Sequence, residues 1–161
     1  MSTSARFQRG YSLVELLTVM AIIGALSLVT VPAFMNYSKT ARLKNSLRQV
    51  SSDVRAARQR AVTRSQFVKL TVTTASPAPG KYEIEESADR GVSYTTIPGT
   101  AKELQQHTYF ESAESFEFRP NGTLVLPAGE TSLSLVVKSD DTTVRNNYTI
   151  TVNLSGKVSA Q

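Results

Sequence analysis

Residues 9–38 of the chain read RGYSLVELLTVMAIIGALSLVTVPAFMNYS. Glu15 is the only charged residue that follows Arg9 in this stretch, and residues 16–38 carry no charge. As a helix, these 23 residues would be about 34 Å long, which exceeds the roughly 30 Å hydrocarbon core of a bilayer. The pattern therefore predicts a membrane-spanning helix near the start of the chain.

The charges around this span predict its orientation. Arg6 and Arg9 precede it, and a large polar segment follows it. By the positive-inside rule, the N-terminus lies in the cytoplasm and the remainder of the chain outside it. The alternative is a cleaved secretory signal peptide, for which residues 31–33 form an acceptable small-residue site. The apolar run is longer than a usual signal core, which favours the membrane span.

Glu15 also argues against a plain signal peptide. A carboxylate in the middle of a membrane costs roughly 2.5–3.5 kcal/mol and indicates a functional role with a cationic partner. The cost is lower near the end of a span, but a partner is still needed. The apolar segment contains no such cation.

Residues 39–64 form a second, basic segment. They contain eight Lys and Arg residues against Asp53 alone, whereas residues 65–161 are net acidic. Residues 40–64 contain no Gly or Pro, and their apolar positions recur at steps of four and three: Leu43, Leu47, Val50, Val54, Ala57 and Ala61. This spacing predicts one apolar face of a helix.

Taken with the span, residues 11–64 predict one helix of about 80 Å that is loosened at Gly24 and Pro32. Its basic face favours a solvated or acid-matched surface over nucleic acid, because no aromatic residue lies between Arg42 and Arg64 to stack on bases. Contact with neighbouring subunits is the preferred role for that face, and DNA the less favoured one.

The remainder of the chain, residues 65–161, predicts strands. Apolar and polar residues alternate in seven short segments that Gly, Pro, Asn and Asp turns separate: 67–73, 81–85, 92–97, 115–119, 123–126, 131–137 and 147–153. Such segments are typical of antiparallel strands. The predicted fold class is therefore α+β, with a long N-terminal helix packed on a C-terminal antiparallel sheet domain of about seven strands.

Composition argues against an enzyme. The 161-residue chain has no Cys and one His, which excludes thiolate chemistry, disulfides and His-His metal motifs. His107 alternates with Tyr109 and Glu111, a pattern that favours a surface histidine over a catalytic one. Asp140 and Asp141 supply too few ligands for calcium and indicate a polar turn. We expect no catalytic residues, no metal and no cofactor.

The segment Arg9-Gly10-Tyr11-Ser12-Leu13-Val14-Glu15-Leu16-Leu17 resembles the leader of type IV pilins and pseudopilins. That family has a basic leader ending in Gly, an aromatic residue next and Glu at the fifth mature position. The resemblance implies that prepilin peptidase cleaves between Gly10 and Tyr11 and methylates the Tyr11 amine. It also implies that Glu15 pairs with the Tyr11 ammonium of a neighbouring subunit. Gly24 and Pro32 fall where the family keeps helix breakers.

Two further segments are similar to the GspH/FimT branch of minor pilins. Residues 116–123 resemble its Phe-x-Pro-x-Gly hairpin, and residues 148–158 resemble its closing strand and Gly-Arg-Val turn, with Lys157 in place of Arg. Residues 74–114 match no motif of the branch. The DNA-binding members carry Gly-Arg-x-Arg, whereas this chain has Lys157 alone, so a DNA contact at Lys157 is the weaker alternative.

The resemblance implies a structural subunit that initiates or caps a type IV pilus or a type II secretion pseudopilus. The expected organisation is a leader (1–10), a transmembrane and filament-core helix (11–38), a basic helix half (39–64) and an outward-facing β-rich domain (65–161). The expected location is the bacterial inner membrane, with the C-terminal domain periplasmic, and then the filament. The expected partners are other subunits, prepilin peptidase, the assembly platform and membrane lipid. The alternatives are a DNA-uptake subunit and an anchored binding domain that never polymerises.

Overall fold

A computed structural model describes residues 12–74, 76, 79–140 and 147–160 of the chain. In this part of the chain one long helix, α1 (Leu13–Arg64), precedes nine strands. The strands are β1 (Phe67–Thr74), β2 (Lys81–Ser87), β3 (Thr95–Thr96), β4 (Lys102–Glu103), β5 (Thr108–Phe110), β6 (Ser115–Phe118), β7 (Ser132–Ser139), β8 (Asn147–Asn153) and β9 (Val158–Ala160). The chain divides into two compact units, the first ending at Tyr37 and the second beginning at Ser38.

The end of α1 is set by a helix-capping turn. Ser65 adopts a left-handed φ of 51°, its amide donates to the carbonyl of Val62, and the amide of Gln66 donates to the carbonyl of Ala61. These two bonds form a Schellman motif, which satisfies carbonyls that the helix leaves unpaired. Arg64 lies in the last turn, where a positive charge is favourable.

Two antiparallel sheets make up the rest of the second unit. The first has the order β3-β2-β1-β6, with β4 also paired to β2, and the second has the order β5-β7-β8-β9. In the first sheet Leu70 lies opposite both Ile84 and Phe116, and in the second Leu135 lies opposite Ile150. All pairings are between antiparallel strands, so the predicted α+β fold is confirmed.

The core lies where the sheets meet the second half of α1. Every predicted position of the apolar helix face is buried: Leu43, Leu47, Val50, Val54, Ala57 and Ala61. These residues join one cluster with inward-facing residues of both sheets. Tyr82 of the first sheet meets Phe110 of the second edge to face, with ring centroids 5.9 Å apart, a favoured aromatic geometry.

Two predicted strands are corrected by the structure. Residues 92–97 form a strand only at Thr95–Thr96, because Asp89 accepts hydrogen bonds from the amides of Val92 and Ser93 and holds them in a turn. Residues 123–126 form no regular strand, since the amide of Leu124 donates to the carbonyl of Leu154 while that of Val125 donates to the carbonyl of Glu117. This segment therefore bonds to the chain at two different places instead of forming a ladder.

Three short strands, β4, β5 and β9, were not predicted. Each has only two or three residues, which is too short for an alternation to stand out. The described part of the chain thus has nine strands where about seven were expected.

Candidate functional site

Glu15 lies in the first turn of α1. Its amide and that of Leu16 donate to the carbonyl of Ser12, at 3.0 and 3.2 Å. Its carboxylate is exposed and has no hydrogen bond or ion pair with any residue that the structure describes. A negative charge in this turn is stabilised by the helix dipole, but the chain supplies no cationic partner for it in the described ranges.

The first unit presents an apolar surface around this helix. Every large apolar side chain from Leu13 to Tyr37 is exposed, by between 48% and 80%. Hydroxyl groups in this stretch bond within the helix: Ser27 donates to the carbonyl of Ile23 at 2.7 Å and Thr30 to that of Leu26 at 2.9 Å. Internally bonded hydroxyls and a continuous apolar surface are what a lipid environment requires. By length and hydropathy, α1 qualifies as a membrane-spanning helix.

The two helix-breaking residues lie within α1 and do not interrupt it. Pro32 is inside the helix, although its ring removes a backbone donor. A Cβ added at Gly24 would meet nothing within 4 Å. The local loosening at both positions stays a prediction. The predicted cleavage and methylation residues, Gly10 and Tyr11, lie outside the described residues.

Lys157 is exposed and sits in the turn between β8 and β9. The side-chain oxygen of Asn153 accepts from the amide of Lys157 at 2.9 Å, and the carbonyl of Asn153 accepts from Gly156 at 2.8 Å. Gly156 has a φ of 76°, and a Cβ there would meet the carbonyl oxygen of Gly122 at 2.5 Å and the guanidinium of Arg58. Only glycine fits this close approach.

Arg58 donates hydrogen bonds both to this turn and to the hairpin of residues 116–123, which begins in β6. Its Nε donates to the carbonyl of Gly122 at 3.0 Å and its Nη2 to the carbonyl of Ser155 at 2.9 Å. The two C-terminal segments that resemble the GspH/FimT branch are thereby held against the same helix residue. The sequence marks Arg58 only as one of the eight basic residues of the segment 39–64 and does not predict this role, because nothing in the helical spacing separates it from its neighbours.

Six further basic residues of the helix divide into two groups. Arg60 pairs with Glu86 at 3.0 Å, and Arg64 lies 3.8 Å from the same carboxylate. Arg42, Lys44, Arg48 and Arg55 have no hydrogen bond or ion pair with any residue in the described part of the chain. The acid-matched surface that was predicted therefore exists at one end of the basic face.

A buried polar network also ties the helix to the first sheet. Asp53 accepts from Lys102 Nζ at 2.7 and 2.8 Å and from the hydroxyl of Tyr82 at 2.6 Å. Gln49 donates to the same hydroxyl at 3.0 Å. Burial, and then the bond to Asp53, raise the pKa of Tyr82 well above its ordinary value. This network was not predicted, because Asp53 gave no signal beyond being the lone acid of the segment.

No cluster of three or more His, Cys, Asp or Glu side chains suited to a metal occurs among residues 12–74, 76, 79–140 and 147–160. Asp140 pairs with His107, with the carboxylate 3.1 Å from Nδ1. Asp141 lies outside the described residues.

Comparison with known proteins decides the family. Residues 46–156, more than half of the chain, match the family described as type II transport protein GspH. The chain belongs to this family. Residues 5–31 also match the prokaryotic N-terminal methylation motif. The prediction of a minor pilin or pseudopilin of the GspH/FimT branch is thereby confirmed, and with it the class of structural subunits that assemble with other pilin subunits.

Two solved structures share the fold of this GspH family member. The type IV minor pilin FimU of Pseudomonas aeruginosa aligns with a TM-score of 0.59 at 15% identity, over 78% of this chain and 92% of FimU. The minor pseudopilin EpsH from the type 2 secretion system of Vibrio cholerae aligns with a TM-score of 0.55 at 12% identity, over 74% of this chain and 96% of EpsH.

Pilins and fimbrial proteins are among the curated relatives of the chain. The type IV major pilin protein PilE1 of Neisseria gonorrhoeae is 27% identical over 105 residues, which cover 61% of this chain and 58% of PilE1. A fimbrial protein of Pseudomonas aeruginosa is 29% identical over 77 residues, 48% of this chain and 47% of the relative. The match thus spans less than two thirds of the length of these relatives.

Proposed function

We propose that this chain is a minor subunit that initiates or caps a type IV pilus or a type II secretion pseudopilus. In this role prepilin peptidase removes residues 1–10 and methylates the amine of Tyr11. The subunit waits in the inner membrane with its N-terminus cytoplasmic and residues 65–161 periplasmic. The assembly platform then moves it into the filament, where residues 11–38 enter the core.

One observation carries the proposal: the first unit exposes every large apolar side chain from Leu13 to Tyr37, and Glu15 has no partner in the described part of the chain. Lipid covers such a surface before assembly, and apolar helices of other subunits cover it afterwards. A carboxylate in that setting needs a cation. The methylated amine of Tyr11 in a neighbouring subunit supplies one at the matching depth.

The test is mass spectrometry of the mature N-terminus, on full-length protein taken from native membranes. The expected first residue is methylated Tyr11. A matched pair of variants supports the assignment: Gly10→Glu should leave the leader attached, and Gly24→Ala should be processed normally. A chain that begins at Phe34 would indicate a secretory signal peptide, and one that retains Met1 or Ser2 would indicate a simple membrane anchor; either result overturns the proposal.

A DNA-uptake role is the second candidate, and the turn at Lys157 favours it. Arg58 donates a hydrogen bond to that turn, and Arg58 and Arg55 line one groove of about 440 Å³. The three cations Lys157, Arg58 and Arg55 therefore belong to neighbouring parts of the second unit. Each lost phosphate contact reduces the salt slope of DNA binding by about one. Duplex binding by the full chain, with slopes lowered in Lys157→Gln and Arg55→Gln, would support this role; binding with unchanged slopes would exclude it.

A further inference from the structure

A cavity of about 260 Å³ opens in the second unit at the start of the basic helix half. Its lining side chains are all polar: Lys39, Arg42, Gln106, His107, Thr108 and Ser139. Two are cations and one is an imidazole, and none is acidic. In the chain, Lys39 follows directly after the uncharged run of residues 16–38. Part of the cavity lining therefore comes directly after the proposed membrane span in the sequence.

The wall opposite the helix is held by buried hydrogen bonds. The hydroxyl of Ser46 shares a hydrogen bond of 3.0 Å with that of Thr108 and accepts from the amide of Gln105 at 3.1 Å. Ser46 and Thr108 are almost completely buried. Because buried hydroxyls that are satisfied in this way resist displacement, the segment around Thr108 is fixed to α1.

His107 is held at the cavity in an unusual backbone conformation. Its φ is 65°, in the left-handed region that few residues other than glycine adopt. Its carbonyl accepts from the amide of Asp140 at 3.1 Å, and its Nδ1 lies 3.1 Å from the Asp140 carboxylate. Two contacts with one residue fix both the backbone and the ring.

Arg42 is the lining residue whose side chain can donate hydrogen bonds to a ligand. Its side chain is exposed and forms no hydrogen bond or ion pair with any residue that the structure describes. A guanidinium carries five donors in a planar fork that matches the oxygens of a phosphate. With the ammonium of Lys39 and the imidazole of His107 in the same lining, the donor set suits a phosphate diester or monoester.

We propose that this cavity binds the phosphate of an anionic membrane lipid. The inference rests on the proposed function, in which residues 16–38 span the membrane. Arg42 comes three residues after Lys39, about 4.5 Å further along the helix, which keeps both cations within a headgroup layer of about 5–7 Å. Cations flanking the translocated side of a span are disfavoured during insertion, and an anionic headgroup gives Arg42 a binding partner.

The test compares two lipids and two single-charge variants of the full chain. Binding of phosphatidylglycerol and phosphatidylcholine to the chain in neutral detergent micelles is measured by native mass spectrometry. Arg42→Gln removes a cation from the cavity lining. Lys44→Gln removes a cation that lies two residues after Arg42 and is not part of the lining. This variant is therefore a matched control for diffuse electrostatic attraction.

We expect phosphatidylglycerol to bind more tightly than phosphatidylcholine and Arg42→Gln to weaken its binding about tenfold, the scale of a charge-assisted hydrogen bond. Lys44→Gln should change it by less than about threefold, since only long-range attraction is lost. His107→Asn, whose side chain tolerates the same left-handed backbone, should weaken it about twofold or more.

Four results would overturn the proposal. Equal affinity for the two lipids would show that the charge of the headgroup does not contribute to binding. Equal losses of lipid affinity in Arg42→Gln and Lys44→Gln would show that only general electrostatic attraction is involved. Displacement of the lipid by equimolar glycerol phosphate would assign the cavity to a soluble ligand. Normal lipid binding with failed filament incorporation in Arg42→Gln would assign it to a neighbouring subunit. N-terminal processing tests the proposed function separately, so the two failures are distinguishable.

Discussion

Both halves of α1 carry large apolar side chains, but the two halves differ in what covers these side chains. From Leu13 to Tyr37 every large apolar side chain is exposed, whereas from Ser38 to Arg64 only Val62 is. In the second half the two sheets cover the apolar face. The difference indicates that the second half stabilises the fold, while the first half needs lipid or other subunits to remove its surface from water.

Two matched leucine-to-alanine substitutions, one in each half of α1, test this difference most strongly. Leu43 is fully buried and Leu28 is 80% exposed. Leu43→Ala should lower the free energy of unfolding by about 2–5 kcal/mol because it leaves a cavity in the core. Leu28→Ala should change it by no more than about 0.5 kcal/mol. Urea denaturation of the full chain in detergent, followed by circular dichroism, measures both, and equal losses would contradict the division.

The second prediction concerns the turn between β8 and β9, which packs against Arg58 in the second half of α1. Gly156→Ala should destabilise the protein by about 1–3 kcal/mol, because its φ of 76° and the carbonyl of Gly122 leave no room for a Cβ. The control is Gly129→Ala, where φ is also positive but nothing lies within 4 Å. If both variants lose the same stability, the close packing against Arg58 is not what requires glycine.

The third prediction concerns the helix residue that this turn contacts. Arg58→Gln should lower the free energy of unfolding by about 1–2 kcal/mol, since two backbone carbonyls lose a charged donor. Arg55→Gln is the matched control, because Arg55 has no hydrogen bond or ion pair with any residue in the described ranges. Thermal melts of the two variants should separate; coincident melts would show that Arg58 is an ordinary solvated cation.

The smallest expected effect is confined to alkaline pH. Burial raises the pKa of Tyr82 above its ordinary value of 10.0, so above pH 10 the unfolded chain releases this proton while the folded chain keeps it. The stabilisation is complete below pH 10 and falls by at most about 1.4 kcal/mol per pH unit above it. Burial also raises the pKa of Tyr94, so the wild-type slope contains both contributions.

Denaturation curves at pH 8 and above pH 10 measure this effect. Tyr82→Phe should lower stability at pH 8, because Asp53 and Gln49 lose a partner, and should flatten the decline above pH 10. Tyr94→Phe should flatten it as well without disturbing Asp53. A decline that is unchanged in Tyr82→Phe would mean that this hydroxyl is open to solvent.

The pattern of the sequence predicted what repeats along the chain. The apolar face of the second helix half recurs at Leu43, Leu47 and Val50, and all three are buried. Five alternating segments became strands β1, β2, β6, β7 and β8. These features depend on local periodicity, which is visible without any knowledge of the partner elements.

The site features that escaped prediction depend on contacts between distant parts of the chain. Arg58 bonds to residues 64 and 97 positions away, and Asp53 to Lys102, 49 positions away. The cavity at Arg42 forms only when the segment around His107 packs against the helix. No spacing in a single sequence reports such pairings. By contrast, the motif around Glu15 was found because its chemistry is local.

The most direct test of the uncovered helix half is incorporation of Glu15→Gln into filaments. The variant keeps the size of the side chain and removes its charge, so the membrane level and fold of the subunit should match those of the wild type. Ser27→Ala, which removes a hydroxyl bonded only within the helix, is the control and should incorporate normally. We expect Glu15→Gln to remain in the membrane fraction and to be absent from purified filaments. Incorporation at the wild-type level would contradict the proposal that Glu15 pairs with a neighbouring subunit.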